Sequence, residues 1–316
     1  MIDDDDDALL QDRKFISTRY LRNGKDARYA IKKLREDISV DDTDRFVGGI
    51  MDLAIEARFL SVLRHPSIIK MRAVANASPY STNYYIILDR LYETLTQKIP
   101  IWKARKIKLT GVAKLFDRKG KKKKGFFIDR LMVSYDLCSA LKYLHSLSII
   151  YRDLKPDNIG FDVRGDVKIF DFGLSREVDS SCQLENNLYT LSGNTGSLRY
   201  MAPEVAKGEP YNHTVDVYSF GILLWQICSL ETPFTGFDKL KHNKNVVWGG
   251  ERPKIKDNLV PNLQSLISYC WSDKIEERPE FEEIADSLRS EITASRRDDN
   301  YNTLDVSSRT FDSLHD

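Results

Sequence analysis

The most apolar run in the chain is nine residues long, Phe220 to Cys228, and only Gln226 interrupts it. A helix there would turn hydrophobic side chains to every side, so it needs protein all round it rather than water. The run is less than half of a membrane span, which takes about 20 apolar residues. It therefore calls for a large helical lobe built around one buried helix. At 316 residues the chain has material for such a lobe and a smaller one beside it.

The segments upstream follow other periods. Residues 3–7 are five consecutive Asp, which repel one another, so 1–14 is expected as a disordered acidic start. From Phe15 to Leu34 the pattern reads strand, Asn23-Gly24 turn and strand, the second strand being Tyr29-Ala30-Ile31-Lys32. Phe46, Ile50, Leu53, Ala57 and Leu60 then recur in helical steps, with Gly48-Gly49 weakening the beginning. Tyr84 to Leu88 reads as a short buried strand. The composition shifts at Trp102: as far as Lys124 there are eleven Lys or Arg against one acidic residue, Asp117. That stretch is expected as a partly disordered insertion.

Downstream, Val133, Leu137, Ala140, Leu141 and Leu144 fall on one helix face, and two short strand-like pieces flank Gly165. Ser175 to Asn194 reads as a mobile loop. Two amphipathic helices close the domain. One carries Leu263, Leu266, Ile267 and Cys270; the other starts at Pro279 and carries Phe281, Ile284, Leu288 and Ile292. Strands plus one helix, followed mainly by helices, predict an α+β chain of two lobes with a cleft between them: 15–91, then 92–292 with the basic insertion 102–124, then a polar tail, 293–316.

Charge and cysteine content narrow the classes further. With 48 Lys+Arg against 47 Asp+Glu, the net charge of +1 gives no general attraction to nucleic acid or anionic membrane. The cysteines Cys138, Cys182, Cys228 and Cys270 are scattered, without CxxC or a neighbouring His in ligand spacing, so buried reduced thiols are expected. An acidic start is the opposite of a signal peptide, and the reading is a soluble protein of the cytoplasm, with the nucleus as a second location.

The chemistry concentrates in Tyr151-Arg152-Asp153-Leu154-Lys155-Pro156-Asp157-Asn158, a loop between a helix and a strand. A carboxylate there can orient or deprotonate a hydroxyl, an ammonium can neutralise a moving phosphoryl group, and an amide oxygen is a hard ligand for Mg²⁺. Thirteen residues beyond Asn158 comes Asp171-Phe172-Gly173, and later Ala202-Pro203-Glu204. Three motifs in this order and at these spacings resemble the protein kinase superfamily over about Phe15 to Ile292.

The resemblance implies a bilobal kinase fold, with a small antiparallel-sheet lobe carrying one helix and a larger, mainly helical lobe. It implies transfer of the γ-phosphoryl of ATP, with Mg²⁺, to protein hydroxyls. Lys32 would hold the α- and β-phosphates. Its implied partner is Glu56, which the spacing of Leu53, Ala57 and Leu60 independently places on an apolar face where a carboxylate needs a cation. Asp153 would be the catalytic base with Lys155 beside it, and Asn158 and Asp171 the metal ligands. Ala30, Leu88 as gatekeeper, and the backbone of Asp89 to Leu91 would line the adenine pocket. Lys155 implies serine/threonine specificity, and the Cys270-Trp271 and Arg278-Pro279 pairs lean toward the tyrosine-kinase-like branch. Ser197 would contact the catalytic loop, and Arg152 would receive an activation-segment phosphate, for which Tyr189, Thr190, Ser192 and Thr195 are candidate acceptors under an upstream kinase. Asp216 would anchor the catalytic loop, Arg278 would pair with Glu204, and Leu60, Met71, Tyr151 and Phe172 would form the stacked spine.

Two departures matter. The window for the family's glycine-rich loop, Leu10 to Ser17, contains no Gly, which implies a chain starting within or just after that loop's second strand. Gly160 stands where a larger residue usually supports adenine, so a neighbour must compensate or nucleotide packing is looser. The competing function is a catalytically silent pseudokinase scaffold. A third reading has residues 103–124 contacting nucleic acid or acidic membrane, against the plainer reading of a solvated loop. Substrate, pathway and oligomeric state are not legible.

Overall fold

The computed structural model describes residues 27–34, 43–111 and 120–297 of the chain. The acidic start, the first expected strand with its Asn23-Gly24 turn, the Leu10–Ser17 window and the polar tail beyond Arg297 lie outside the described residues.

Among the described residues, the sheet of the small lobe has three antiparallel strands, β1 (Tyr29–Lys33), β2 (Met71–Val74) and β3 (Tyr85–Asp89), in the order β1-β3-β2. Residues Tyr85 to Leu88 supply the β-branched and aromatic side chains a central strand needs, and Ile86 is fully buried. Register places Ala30 opposite Leu88 and Lys32 opposite Ile86. Helix α1 (Thr43–Val62) continues through Gly48-Gly49 and buries Ile50, Leu53, Ala57 and Leu60. The segment after α1 runs into the second lobe: Ile69 N–H donates to Ile169 O at 2.9 Å, and Ile169 N–H to Ser67 O at 2.8 Å.

β4 (Glu93–Thr94) leads into α2 (Leu95–Thr110), α3 (Lys121–Ser146), β5 (Ile149–Ile150), β6 (Ile159–Phe161), β7 (Val167–Ile169) and β8 (Arg176–Glu177). Then come α4 (Pro203–Lys207), α5 (Thr214–Ser229), α6 (Lys239–His242), α7 (Pro261–Cys270) and α8 (Phe281–Arg297). The apolar run lies in α5, where every residue from Thr214 to Cys228 is buried, with α3 and α7 packed against it. On α3 the expected stripe is inside, and on α8 Phe281, Ile284, Leu288 and Ile292 are at most 2% exposed. Helix α8 starts at Phe281, so Pro279 lies just ahead of it rather than at its first position. Among the described residues, no helix is long and apolar enough to cross a membrane.

Where a partly disordered insertion was expected, the described parts of the basic stretch are helical. Its first part is the body of α2, capped by a reciprocal Thr94–Gln97 box. Leu95, Ile99 and Trp102 recur in steps of four and three along α2 and are buried, with Trp102 edge-on to Phe161 at 6.3 Å. Lys121–Lys124 form the first turn of α3. Lys and Arg are good helix formers, so a sparse apolar stripe was enough and the charge run hid it. Residues 112–119 lie outside the described part. The Ser175–Asn194 stretch also contains pairing: β8 joins β5, and Tyr189 exchanges backbone bonds with Tyr211 at 2.9 and 3.1 Å.

Candidate active site

The loop from Tyr151 to Asn158 hangs from a buried carboxylate. Asp216, in the first turn of α5 and fully buried, accepts the backbone N–H groups of Tyr151 and Arg152, each at 2.8 Å. These two bonds hold Arg152 at φ 68°, a left-handed conformation uncommon for a residue with a side chain. Asp153 follows at 7% exposure. Its Oδ2 accepts from Lys155 Nζ at 2.6 Å and Asn158 Nδ2 at 2.8 Å, and its Oδ1 from the Ser197 hydroxyl at 3.1 Å. Ser197 can reach because Gly196, at φ 100°, passes close beneath the loop: a Cβ there would lie 2.4 Å from Arg152 O. Asp153, Lys155, Asn158 and Ser197 thus form one hydrogen-bonded unit.

Across the cleft, Lys32 Nζ bonds Glu56 and also Asp171 Oδ1, the latter at 2.9 Å. Burial opposes the Lys32 charge, but Glu56 and then Asp171 outweigh it and hold its pKa above the ordinary value. Glu56 is 1% exposed, and burial outweighs the pull of Lys32 to push its carboxyl above the usual range. The pair is therefore strained on the acid side, with Lys32 shared between the two lobes. Asp171, at φ 67°, bonds Lys32 through Oδ1 alone. Behind it, Phe172 is fully buried against the edge of Tyr151 at 5.2 Å and is tilted to Phe59 at 6.5 Å. Leu60 of the expected spine is buried and Met71 half-buried on the same core.

At Gly160 a neighbouring side chain takes up the space. A Cβ on Gly160 would meet Leu91 Cδ1 at 2.6 Å. The Leu91 side chain thus fills the space that a larger residue at 160 would take. Leu88 is buried at 5%, and Asp89 is tied to Arg72 at 2.7 Å. The compensation was not legible from spacing, because it joins residues on β6 and on the connection after β3.

In the activation segment, Arg152 donates to Leu174 O at 2.6 Å, to the Ser192 hydroxyl at 3.0 Å and to Tyr211 OH at 3.1 Å. Of the four candidate acceptors only Ser192 touches Arg152; Thr195 Oγ1 bonds Ser192 O at 3.0 Å, and Tyr189 is joined to Tyr211 through its backbone. Arg278 meets Glu204 at 2.5 and 3.0 Å and also donates to Thr214 O and Ser272 O. The sequence reading missed Asp52, one turn before Glu56. Burial and then the charge of Asp171 push its carboxyl up, with Lys32 opposing. Its i, i+4 spacing to Glu56 was the available signal.

These features assemble the constellation that the motifs implied, and the comparisons define its class. The family model of the protein kinase domain matches residues 17–288, and the chain belongs to that family. It is 38% identical over 163 residues to a probable LIM domain-containing serine/threonine-protein kinase of Dictyostelium discoideum, covering 52% of this chain and 24% of that protein. It is 39% identical over 154 residues to the serine/threonine/tyrosine-protein kinase HT1 of Arabidopsis thaliana (49% of this chain, 38% of that protein). The serine/threonine-protein kinase CTR1 of the same plant is 30% identical over 244 residues (76% and 26%). The chain thus matches well under two thirds of the length of each. These relatives agree with the expected serine/threonine type and tyrosine-kinase-like branch.

Proposed function

We propose that the protein is a serine/threonine kinase transferring the γ-phosphoryl group of ATP to hydroxyls on proteins. The observation that carries this reading is the joining of Lys32 to both Glu56 and Asp171 while Asp153 holds Lys155, Asn158 and Ser197 in one network. The small lobe would run from 15 to the connection at Asp89–Leu91, and the large lobe from 92 to 292. Ala30, Leu88 and the Leu91 side chain would enclose adenine, and the Leu91 N–H, which has no backbone partner among the described residues, would donate to the ring.

In the transfer, the acceptor hydroxyl oxygen forms a bond to the γ-phosphorus as the bond to the ADP oxygen breaks. Asp153 orients that hydroxyl and takes its proton. Lys155, already 2.6 Å from Asp153, would move its ammonium onto the transferring oxygens, and Lys32 would hold the α- and β-phosphates. The donor set suits Mg²⁺: Asn158 spends Nδ2 on Asp153, which leaves its amide oxygen, and Asp171 has Oδ2 beyond the Lys32 bond. When bound, Mg²⁺ would neutralise phosphate charge. Ser192 is the favoured acceptor for an activating phosphate, since its hydroxyl already faces Arg152. The four free cysteines fit a reducing compartment such as the cytoplasm.

The test is Mg²⁺·ATP-dependent labelling of a generic basic protein and of the chain itself, followed by phosphoamino-acid analysis. Phosphoserine or phosphothreonine is expected. Phosphotyrosine alone would overturn the specificity, and no label would favour the silent scaffold, the reading that the glycine-free Leu10–Ser17 window supports.

A further inference from the structure

Away from the cleft, three helix ends bring two histidines and a glutamate together. His145 lies in the last turn of α3, His213 directly precedes α5, and Glu280 directly precedes α8. One ligand atom from each lies within 4.8 Å of the others. His213 Nε2 is 2.9 and 3.1 Å from the two Glu280 oxygens. Tetrahedral zinc, with bonds of about 2.0–2.1 Å, separates its ligand atoms by roughly 3.3 Å, so this pair already has a suitable spacing. The His213 and Glu280 side chains are 35% and 58% exposed.

A second observation points to a ligand. The His145 side chain is only 9% exposed, with Nε2 3.0 Å from Asp216 Oδ2. Asp216 already accepts two backbone N–H groups and is the acceptor here too, so Nε2 carries the proton. In the neutral ring Nδ1 then holds a bare lone pair, and that atom is buried without a hydrogen-bond partner. Contacts with the rings of His213 and Phe281, each at 4.9 Å, pack the imidazole but give Nδ1 no donor. An imidazole fixed through one nitrogen by a carboxylate, with the other nitrogen open, has the arrangement of a metal-ligating histidine.

We propose that His145 Nδ1, His213 and Glu280 bind a divalent transition-metal ion of the Zn²⁺ type, with the fourth position left to water. Two imidazoles and one carboxylate select such an ion over Mg²⁺ or Ca²⁺, which take oxygen ligands. Glu280 and Asp216 together balance its charge. The ion would join the end of α3 to the starts of α5 and α8. Through the His145–Asp216 bond it would brace the same carboxylate that suspends Tyr151 and Arg152. It takes no part in phosphoryl transfer.

The experiment uses the whole chain, stripped with a chelator and titrated with Co²⁺ as a spectroscopic probe. One equivalent should give the visible bands of tetrahedral Co²⁺, and added Zn²⁺ should displace them. Zn²⁺, but not Mg²⁺, should also raise the unfolding midpoint of the stripped protein. His213→Ala, at a half-buried position, and Glu280→Gln, at an exposed one, should each weaken binding at least tenfold and remove the stabilisation. The absence of a tetrahedral band in the unsubstituted chain would overturn the proposal, as would equal binding in both variants.

Discussion

Glu204 and Arg278 meet inside the helical lobe at 2.5 and 3.0 Å, with the arginine side chain wholly buried. Lys32 and Glu56 form the corresponding pair of the small lobe, but 39% of the lysine side chain is exposed and it is shared with Asp171. The first pair is bidentate and closed by two backbone carbonyls. In the second, burial of Glu56 outweighs the attraction of its partner. Chemically similar pairs thus do different work. One ties the Glu204 helix to the core of the helical lobe, and the other lies within the small lobe, with Lys32 also reaching across the cleft to Asp171.

The same substitution in both lobes would break that comparison most sharply. Glu204→Gln leaves a buried guanidinium without its counter-charge and should cost about 3–5 kcal/mol in urea unfolding. Glu56→Gln removes a carboxylate that burial already disfavours, so stability should change by less than about 1 kcal/mol, while phosphate transfer falls roughly 10–10²-fold as Lys32 loses its positioning. Equal destabilisation by the two would erase the distinction.

Acid probes the seam between the lobes. His65 accepts Ser67 N–H at 3.1 Å, faces the Ser139 hydroxyl and stacks on Tyr143 of α3, and burial and then Lys168 lower its pKa to about 4. Between that value and an unfolded pKa of about 6.5, the unfolded chain holds the extra proton. Its contribution is therefore full above pH 6.5 and is lost as the pH falls toward 4, amounting to about 1–2 kcal/mol by pH 5. Urea midpoints at pH 7 and 5 measure this, and His65→Gln should flatten the difference. The smallest effect belongs to Gly160: Gly160→Ala should displace Leu91 and weaken ATP binding severalfold, with Leu91→Ala restoring part of the loss. A Gly160→Ala protein that binds ATP normally would remove Leu91 from the pocket floor.

The candidate chemical residues were legible because contiguous motifs carry the family resemblance; Glu56 came from that resemblance as the partner of Lys32, with its polar position on an apolar stripe as independent support. The buried α5 and the stripes on α3 and α8 were legible because long runs average out local ambiguity. What was hidden depended on partners distant in sequence. Helix α2 was obscured because charge dominates Lys103–Lys108, while the residues that anchor it, Ile99 and Trp102, need the packed lobe to declare themselves. Leu91 beneath Gly160 and His145 against Asp216 exist only through tertiary approach.

In the proposed mechanism Asp153 acts on the acceptor hydroxyl and not on the nucleotide. Asp153→Asn, nearly isosteric, should be measured for both Mg²⁺·ATP affinity and transfer to a protein substrate. Affinity should stay within about twofold of the unsubstituted chain, while transfer drops by about 10²–10⁴. Transfer that survives the substitution, or that falls only in proportion to lost nucleotide binding, would contradict the account.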